Sequence, residues 1–262
     1  MCARLSIDHL DINSDLGESF GPWSMGDDAA MLDIVTSANV ACGAHASDPE
    51  TMFRTLRLAA ARGTVVGAHP GYPDREGFGR RVIPMTPHEV GRMVAAQVGA
   101  LQGVAALAGT AVRYVKPHGA LANVAADDRA IADAIVAAVA RLPGALSILA
   151  ISGTELEPAA RAAGVRVHSE IFADRAYLST GRLVSRSVDG AVLDDPGVVA
   201  ERLVRFVRTG SMPVMDGPPI ALEAHSVCVH GDTAGAVEIA RYVRRRLEDE
   251  GVRIGSYWAE TT

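Results

Sequence analysis

The feature that most constrains the fold of this 262-residue chain is an alternation of two kinds of segment. Short apolar runs rich in β-branched residues end in polar residues, and an alanine-rich segment with an apolar stripe at helical spacing follows. Buried parallel strands and their crossover helices have these two patterns. Strands are predicted at residues 10–12, 35–40, 64–68, 112–115, 147–151, 165–167 and 226–229.

Local capping signals mark the helices. Asp48 and Asp195 each precede a proline, and Gly63 and Gly210 are placed to end the two helices that follow. Further helices are predicted at residues 88–108 and 127–142, and after residues 232–233. The alternation runs through residues 1–262 without a linker, so one α/β domain with a parallel sheet is expected. A barrel and an open doubly wound sheet both satisfy this pattern.

Composition excludes several classes of function. A net charge of −6 argues against electrostatic binding of nucleic acid or anionic lipid. Three cysteines do not make a disulfide framework, the N-terminus lacks a signal-peptide apolar region, and we expect no membrane-length apolar run. A cytoplasmic protein is therefore expected. The chain also has no Gly-x-Gly-x-x-Gly after its first strand and no Walker A sequence, so no phosphate-binding loop is recognisable.

Four of the eight histidines directly follow predicted strands: His45, His69, His118 and His230. Because the carboxyl ends of parallel strands meet at one face, we expect these side chains to share a site with Asp15, which follows the first strand. Two chemistries fit. Asp15 with the first three histidines could bind a divalent metal that activates water. Alternatively, the histidines act without a metal as general acids and bases.

Other residues near strand ends are further candidates. The proline after Lys116 favours an extended backbone, which could direct that cation into a barrel. Arg175 could recognise a carboxylate or phosphate, or pair with the aspartate before it.

His168 lies close to the sixth predicted strand, and Cys42 is expected to be a buried thiol rather than a nucleophile. The glycine-rich loop 71–82 is long enough to suggest a functional role.

Six motifs in order resemble the LamB/YcsF family, and they run from residue 11 to residue 232. Their order and coverage make the resemblance specific. They are Asp11-Ile-Asn-Ser-Asp-Leu-Gly-Glu18, Asn39-Val-Ala-Cys-Gly-Ala-His45, Gly67-Ala-His-Pro-Gly-Tyr-Pro-Asp74 with Gly77-Phe-Gly-Arg-Arg81, Val115-Lys-Pro-His-Gly-Ala-Leu121, Glu170 with Phe172-Ala-Asp-Arg-Ala-Tyr177, and Val229-His-Gly-Asp232.

The resemblance implies a single-domain, distorted (β/α)7-type barrel of the glycoside hydrolase/deacetylase superfamily. It also implies the A subunit of an ATP-dependent 5-oxoprolinase, which opens the 5-oxo-L-proline lactam to L-glutamate in complex with B and C subunits. Formation of a homo-oligomer and binding of ATP by this chain itself stay open. The expected catalytic residues are Asp15, His45, His69, Lys116 and His118, and the expected substrate-binding residues are Asn13, Glu18, Glu170, Arg175, His230 and Asp232.

The chemistry of this implied reaction suits such a site. A five-membered lactam is an unactivated amide, and phosphorylation of its oxygen by ATP would make the ring carbon electrophilic. Water must then be directed and deprotonated, which a cluster of histidines and a carboxylate can do. Two alternatives remain: a metal-dependent deacetylase acting on carbohydrate amides, and a non-catalytic scaffold that binds a lactam for partner subunits.

Overall fold

The computed structural model describes residues 6–231 and 235–258. Its strands are β1 (His9–Leu16), β2 (Ser37–Ala41), β3 (Val65–His69), β4 (Val112–Val115), β5 (Ser147–Ile151), β6 (Val167–Phe172), β7 (Ser211–Met212), β8 (Ile220–Ala221), β9 (Ser226–Cys228) and β10 (Arg253–Ile254). Its helices are α1 (Asp28–Leu32), α2 (Pro49–Arg62), α3 (Pro87–Ala108), α4 (Gly119–Asp127), α5 (Arg129–Val139), α6 (Leu156–Ala162), α7 (Pro196–Thr209) and α8 (Ala236–Asp249).

Seven parallel strands close into a barrel. Strands β1 to β6 pair in sequence order, and β9 pairs with both β6 and β1. The register of the closing pair places Asp11 opposite Ser226 and Asn13 opposite Cys228. Strand β10 pairs with the start of β1, while β7 and β8 form a separate antiparallel pair. This topology confirms the seven-stranded barrel implied by the family resemblance and eliminates the open sheet.

Two predicted strands differ from the observed strands by more than two residues at one end. The first extends to Leu16 rather than ending at residue 12, and the sixth runs from Val167 to Phe172 rather than over residues 165–167. The reason is that Asn13, Asp15 and Glu170 belong to these strands although they are polar. The apolar residues therefore end before the backbone hydrogen bonding of these strands ends, and the predicted strands were too short.

The proline-containing helix starts were predicted correctly. The Asp48 side chain accepts a hydrogen bond from the backbone N–H of Thr51 and caps α2. Asp195 caps α7 in the same way. Gly63 and Gly210 end these helices with φ values of 66° and 69°, in the left-handed region that glycine adopts without strain.

The helix predicted over residues 127–142 corresponds to α5, which Asp128 caps and which ends three residues early, at Val139. Helix α4, which lies directly before it, was not predicted. Helix α4 follows His118, whose side chain makes no capping hydrogen bond. Without a capping residue, the sequence carries no signal for the beginning of this helix.

Helix α3 is long and apolar overall, although His88, Glu89 and Arg92 interrupt its apolar residues as expected. It has 22 residues and a mean hydropathy of 1.3, so its length and composition alone would allow it to cross a membrane. However, one face of α3, including Val90, Val94, Val98 and Leu101, is fully buried, and the helix packs against α2 and α5. This is the packing of a core helix in the outer layer of the barrel.

The interior of the barrel is unusually polar. Asn13 on β1 donates a hydrogen bond to Glu170 on β6, although these strands are not neighbours. Side chains therefore meet across the interior. An aromatic layer lies against these polar groups, in which Tyr114 stacks on Trp258 with 4.1 Å between ring centroids. Gly67 makes room for this layer, because a Cβ atom there would overlap the Tyr114 ring.

Candidate active site

A cavity of about 540 Å³ is formed by the loops that follow the barrel strands and by side chains of the barrel interior. Enzymes of barrel architecture have their sites at this end of the strands. Eight of the eleven residues predicted for the site line the cavity: Asp15, Glu18, His69, Lys116, His118, Glu170, Arg175 and His230. Asn13 and His45 contact these residues, whereas Asp232 is outside the described part of the chain.

Lys116 is the centre of a buried charge network. Its Nζ atom lies 3.0 Å from Oδ1 of Asp15 and 2.9 Å from Oε1 of Glu170. It is also 3.3 Å from Oδ1 of Asn13 and 3.2 Å from Sγ of Cys228. An ammonium group has three protons, so these four acceptors already satisfy it. Lys116 is therefore already paired with two buried carboxylates and is not a free cation for a ligand.

This network fixes the charge of Asp15. Burial alone would raise the pKa of Asp15, but the charges of His69 and Lys116 outweigh burial and hold it well below its usual range. Burial likewise would lower the pKa of Lys116, but Asp15 leads the negative groups that raise it well above its usual value. In contrast, burial raises the pKa of Glu170 despite the opposing charge of Lys116. Asp15 is thus a carboxylate at neutral pH, placed at the cavity wall.

Hydrogen bonds to the backbone define the protonation of two facing histidines. Nδ1 of His69 lies 2.8 Å from the carbonyl oxygen of Lys116, and Nε2 of His118 lies 2.8 Å from that of Phe78. A carbonyl only accepts, so both of these ring nitrogens carry protons. In the neutral rings, the lone pairs then lie on Nε2 of His69 and Nδ1 of His118, which face each other at 3.0 Å. Two lone pairs at this distance repel unless a proton or a metal cation is shared between them.

The third histidine completes this cluster. His45 stacks on His118 with parallel rings and a centroid separation of 3.7 Å, and its Nε2 atom lies 3.2 Å from Oε1 of Glu18. Desolvation lowers the pKa of His45 and of His118 well below the usual value. The predicted glycine-rich loop covers the stacked rings. A Cβ atom at Gly79 would lie 2.8 Å from Cδ2 of His118 and 2.8 Å from Cβ of His45, so only glycine allows this approach.

His230, which lines the cavity, forms a hydrogen-bonded pair with Asp174. Nδ1 of His230 lies 2.9 Å and 2.8 Å from the two carboxylate oxygens of Asp174, so Nδ1 carries the proton and donates it. Nε2 is left to exchange a proton with a ligand. Burial would raise the pKa of Asp174, but the charge of His230 outweighs this and lowers it. A histidine oriented by a buried carboxylate is a recurrent general acid–base arrangement.

The long connection from β6 to α7 forms another wall of the cavity. Within it, Arg175 donates to the carbonyl oxygens of Val184 and Ala191, and burial followed by the charge of Arg186 lowers its pKa to about 10. Arg182 donates to the carboxylate of Asp127 at 2.7 Å and ties this connection to the end of α4. Arg175 therefore supports the loop as well as lining the cavity.

Two other candidates lie away from this chemistry. His168 is at the start of β6, at the opposite end of the barrel, where its ring contacts His225 and Trp258. The sequence had suggested that His168 lies near the carboxyl end of the sixth strand. This was wrong, because β6 continues past His168 to Phe172. Cys42 is buried, and burial raises its thiol pKa to about 12, as expected for a structural cysteine.

Sequence reasoning missed four residues of the site network. Asn39 donates to both Asn13 and Asp15, and its own carbonyl oxygen accepts from the Tyr114 hydroxyl at 2.6 Å. Cys228 contacts Lys116, and Asp174 orients the histidine described above. Because every second side chain of a strand lies on the same face, the alternation of polar residues in the strands could have indicated Asn39 as a site residue. For Asp174, nothing in the local sequence reveals a partner 56 positions away.

Comparison with known proteins identifies full-length relatives. The model of the LamB/YcsF family matches residues 10–261. A 5-oxoprolinase A subunit of Pseudomonas syringae pv. tomato, the one numbered 3, is 55% identical over 239 residues, covering 91% of this chain and 93% of the relative. The 5-oxoprolinase A subunit numbered 1 from Agrobacterium fabrum is 52% identical over 248 residues, covering 95% and 97%.

Solved structures agree with this relationship. The lactam utilization protein from Thermus thermophilus has a TM-score of 0.89 and 42% identity, with coverage of 95% of this chain and 100% of the other. A putative cellobiose-phosphate cleavage protein from Enterococcus faecalis V583 shares only the fold, with a TM-score of 0.59, 15% identity and coverage of 96% and 98%. From its sequence motifs, its barrel and these full-length matches, the chain belongs to the LamB/YcsF family.

Proposed function

We propose that this chain is the A subunit of an ATP-dependent 5-oxoprolinase, a cyclic amide hydrolase that opens 5-oxo-L-proline to L-glutamate. The observation that carries the proposal is 55% identity over 91% of the chain to a relative whose name is that of a 5-oxoprolinase A subunit. In this proposal, the B and C subunits are its partners, the complex consumes ATP, and the complex is cytoplasmic. The proposal is supported by a cavity lined with carboxylate, lysine and histidine side chains that suit the steps of ring opening.

His230 is the proposed proton-transfer group. Nε2 accepts a proton from the water that attacks the ring carbon of the activated lactam. The same proton then passes to the ring nitrogen as the carbon–nitrogen bond breaks and its electron pair moves to nitrogen. Asp174 holds Nδ1 of His230 and stabilises the imidazolium formed between these two transfers. A positioned general acid–base group of this kind typically contributes about 10²–10⁴-fold in rate.

Asp15 has a different proposed role. Its lowered pKa makes it a poor base, but the ionised carboxylate can accept hydrogen bonds from the attacking water or the ring N–H. Lys116 and Asn39 hold Oδ1 at 3.0 Å and 2.8 Å. Oδ2 lies 3.3 Å from Nε2 of His69, on the side of the facing histidines. Asp15 therefore connects Lys116 on one side to the facing histidines His69 and His118 on the other.

The facing histidines fit a divalent cation. Imidazole nitrogens and carboxylate oxygens are suitable ligands for zinc and similar metals. The outer N–H groups of His69 and His118 donate to carbonyls, as those of ligating histidines usually do. We assign Glu18, His45, His69 and His118, with Asp15 beside them, as the residues that would hold this cation. Such an ion would polarise a bound carbonyl or water.

Reconstitution with partner subunits tests the function. The chain is combined with B and C subunits from the same organism, and glutamate release from 5-oxoproline and ATP is measured. We expect release by the wild-type set and a loss of at least about 10²-fold for Asp15→Asn. Asp189→Asn, an exposed position on the β6–α7 connection, is the matched control and should retain activity. Absence of glutamate from the wild-type set would sink the proposal, and full activity of Asp15→Asn would show that this chain is only a scaffold.

A further inference from the structure

Tyr114 contacts the polar residues of the candidate site from within the barrel wall. Its side chain is fully buried on β4, and its hydroxyl donates to Oδ1 of Asn39 at 2.6 Å. The amide of Asn39 in turn donates to Oδ1 of Asp15 at 2.8 Å. We propose that Tyr114 is a positioning residue, which acts through Asn39 to hold the Asp15 carboxylate in place. This inference rests on the proposed function, in which Asp15 takes part in ring opening.

The first support is the register of four neighbouring strands, which places these residues in one layer of the barrel. Asp15 on β1 is paired with Asn39 on β2. Asn39 is paired with Gly67 on β3, and Gly67 with Tyr114 on β4. Because Gly67 has no side chain, the Tyr114 ring occupies the space where a Cβ atom of residue 67 would be. The hydroxyl therefore crosses β3 and reaches a residue of β2.

The second support is the fixed position of the Tyr114 hydroxyl. Its ring stacks on Trp258 with 4.1 Å between the centroids and also lies against Gly67, so close packing holds the ring. Burial raises the pKa of Tyr114 well above its usual value, so the hydroxyl keeps its proton. The carbonyl oxygen of Asn39 only accepts, and the hydroxyl is therefore the donor of this bond.

The third support is the hydrogen bonding of the Asn39 amide. Its nitrogen donates to Oδ1 of Asn13 at 2.7 Å and to Oδ1 of Asp15 at 2.8 Å. A flipped amide would place its oxygen against these two acceptors, so the observed orientation is the favourable one. The bond from Tyr114 anchors the opposite end of the amide and polarises it, which strengthens its donation to the carboxylate. Loss of the hydroxyl would leave the buried carbonyl oxygen without this partner.

The anchored amide decides which oxygen of Asp15 points toward the facing histidines. Oδ1 is held by Asn39 and by Nζ of Lys116, at 2.8 Å and 3.0 Å. Oδ2 is thereby directed toward Nε2 of His69, at 3.3 Å. Without the bond from Asn39, the carboxylate could rotate and stay paired with Lys116, because an ammonium group can donate to either oxygen. Lys116 thus supplies the charge, and Tyr114 supplies the orientation through Asn39.

Removal of the hydroxyl alone tests this role in the purified chain. The side-chain amide protons of Asn39 are followed by NMR, and in Tyr114→Phe we expect the proton that donates to Asp15 to move upfield as this bond weakens. Tyr257→Phe is the matched control, because it removes a hydroxyl that donates to the backbone carbonyl of His9 at 2.9 Å. It should leave the Asn39 signals in place. Unchanged Asn39 signals in Tyr114→Phe, or the same shift in both variants, would overturn the proposal.

Turnover of the reconstituted three-subunit set separates a positioning role from a merely structural one. Tyr114→Phe should lower kcat for glutamate release by about tenfold and leave KM for 5-oxoproline unchanged, since an interaction used only in the transition state affects kcat. In an Asn39→Ala background, Tyr114→Phe should cause no further loss, because it acts through Asn39. Equal losses in the two backgrounds would contradict the proposal. A wild-type set that releases no glutamate would refute the proposed function instead, and the NMR result would still stand independently.

Discussion

Nδ1 of His118 lies 3.0 Å from Nε2 of His69, and each ring uses its other nitrogen to donate to a backbone carbonyl. These two backbone hydrogen bonds orient both rings so that the lone pairs of Nε2 of His69 and Nδ1 of His118 face each other. In metal sites, zinc–nitrogen distances are about 2.0–2.1 Å, so both nitrogens can reach one ion between them. The local geometry calls for a bound cation or a shared proton.

Metal binding should therefore stabilise the protein. A divalent ion at a concentration 100 times its dissociation constant would raise the free energy of unfolding by about 2.7 kcal/mol. Thermal unfolding with and without zinc or manganese, combined with elemental analysis, measures this effect. We expect the stabilisation to disappear in His69→Gln and to persist in His88→Gln, an exposed histidine away from the site. Equal stabilisation of all three proteins would point to binding elsewhere.

Replacing Lys116 by methionine should destabilise the barrel. The change leaves the carboxylates of Asp15 and Glu170 buried without their shared cation. Removal of one partner from a buried ion pair typically costs about 3–5 kcal/mol. Urea unfolding at neutral pH measures the loss. A cost below about 1 kcal/mol, the usual value for an exposed ion pair, would contradict the buried network.

The same variant should respond differently to pH. In the wild type, the lowered pKa of Asp15 contributes stability that is present above the unfolded-state pKa and is lost as the pH falls through the folded-state pKa. Without Lys116, the pKa values of Asp15 and Glu170 rise. Protonation on acidification then relieves the burial of charge, so the deficit of Lys116→Met should shrink between neutral pH and mildly acidic pH. A deficit that grows on acidification would exclude this explanation.

Asp174→Asn should impair proton transfer while preserving the fold. The amide cannot stabilise an imidazolium and allows the wrong tautomer of His230, so we expect a loss of about 10²–10⁴-fold in turnover. Glutamate release across a pH series is the measurement, since a purely structural defect would leave the shape of the pH profile unchanged. Asp189→Asn on the same connection is the control.

Gly67→Ala tests the close packing inside the barrel. The new methyl group would overlap the Tyr114 ring, and overpacking of a core typically costs about 1–3 kcal/mol. Chemical denaturation of Gly67→Ala, Tyr114→Leu and the double variant gives a double-mutant cycle. The two changes should partly compensate, because leucine frees the space that the methyl group needs. Strict additivity would show that the two positions do not interact.

The amino-acid sequence by itself determined the alternation of strands and helices and most of their positions. The helix starts at Asp48 and Asp195 depend on neighbouring residues, so local pattern was sufficient to predict them. It also determined that His45, His69 and His118 follow strands. The barrel itself came from the family resemblance, because strand order is not encoded in periodicity.

Only the tertiary structure decided how the site is connected. Lys116 meets Glu170 from 54 positions away in the chain, and Asp174 meets His230 from 56. These pairs form because barrel closure brings β1, β4, β6 and β9 around one interior, where charged groups must find partners away from water. The sequence identified most of the side chains that line the cavity at this end of the barrel. The closed barrel determined that Lys116 is paired with carboxylates and that His230, the proposed proton-transfer group, is held by an aspartate from another strand end.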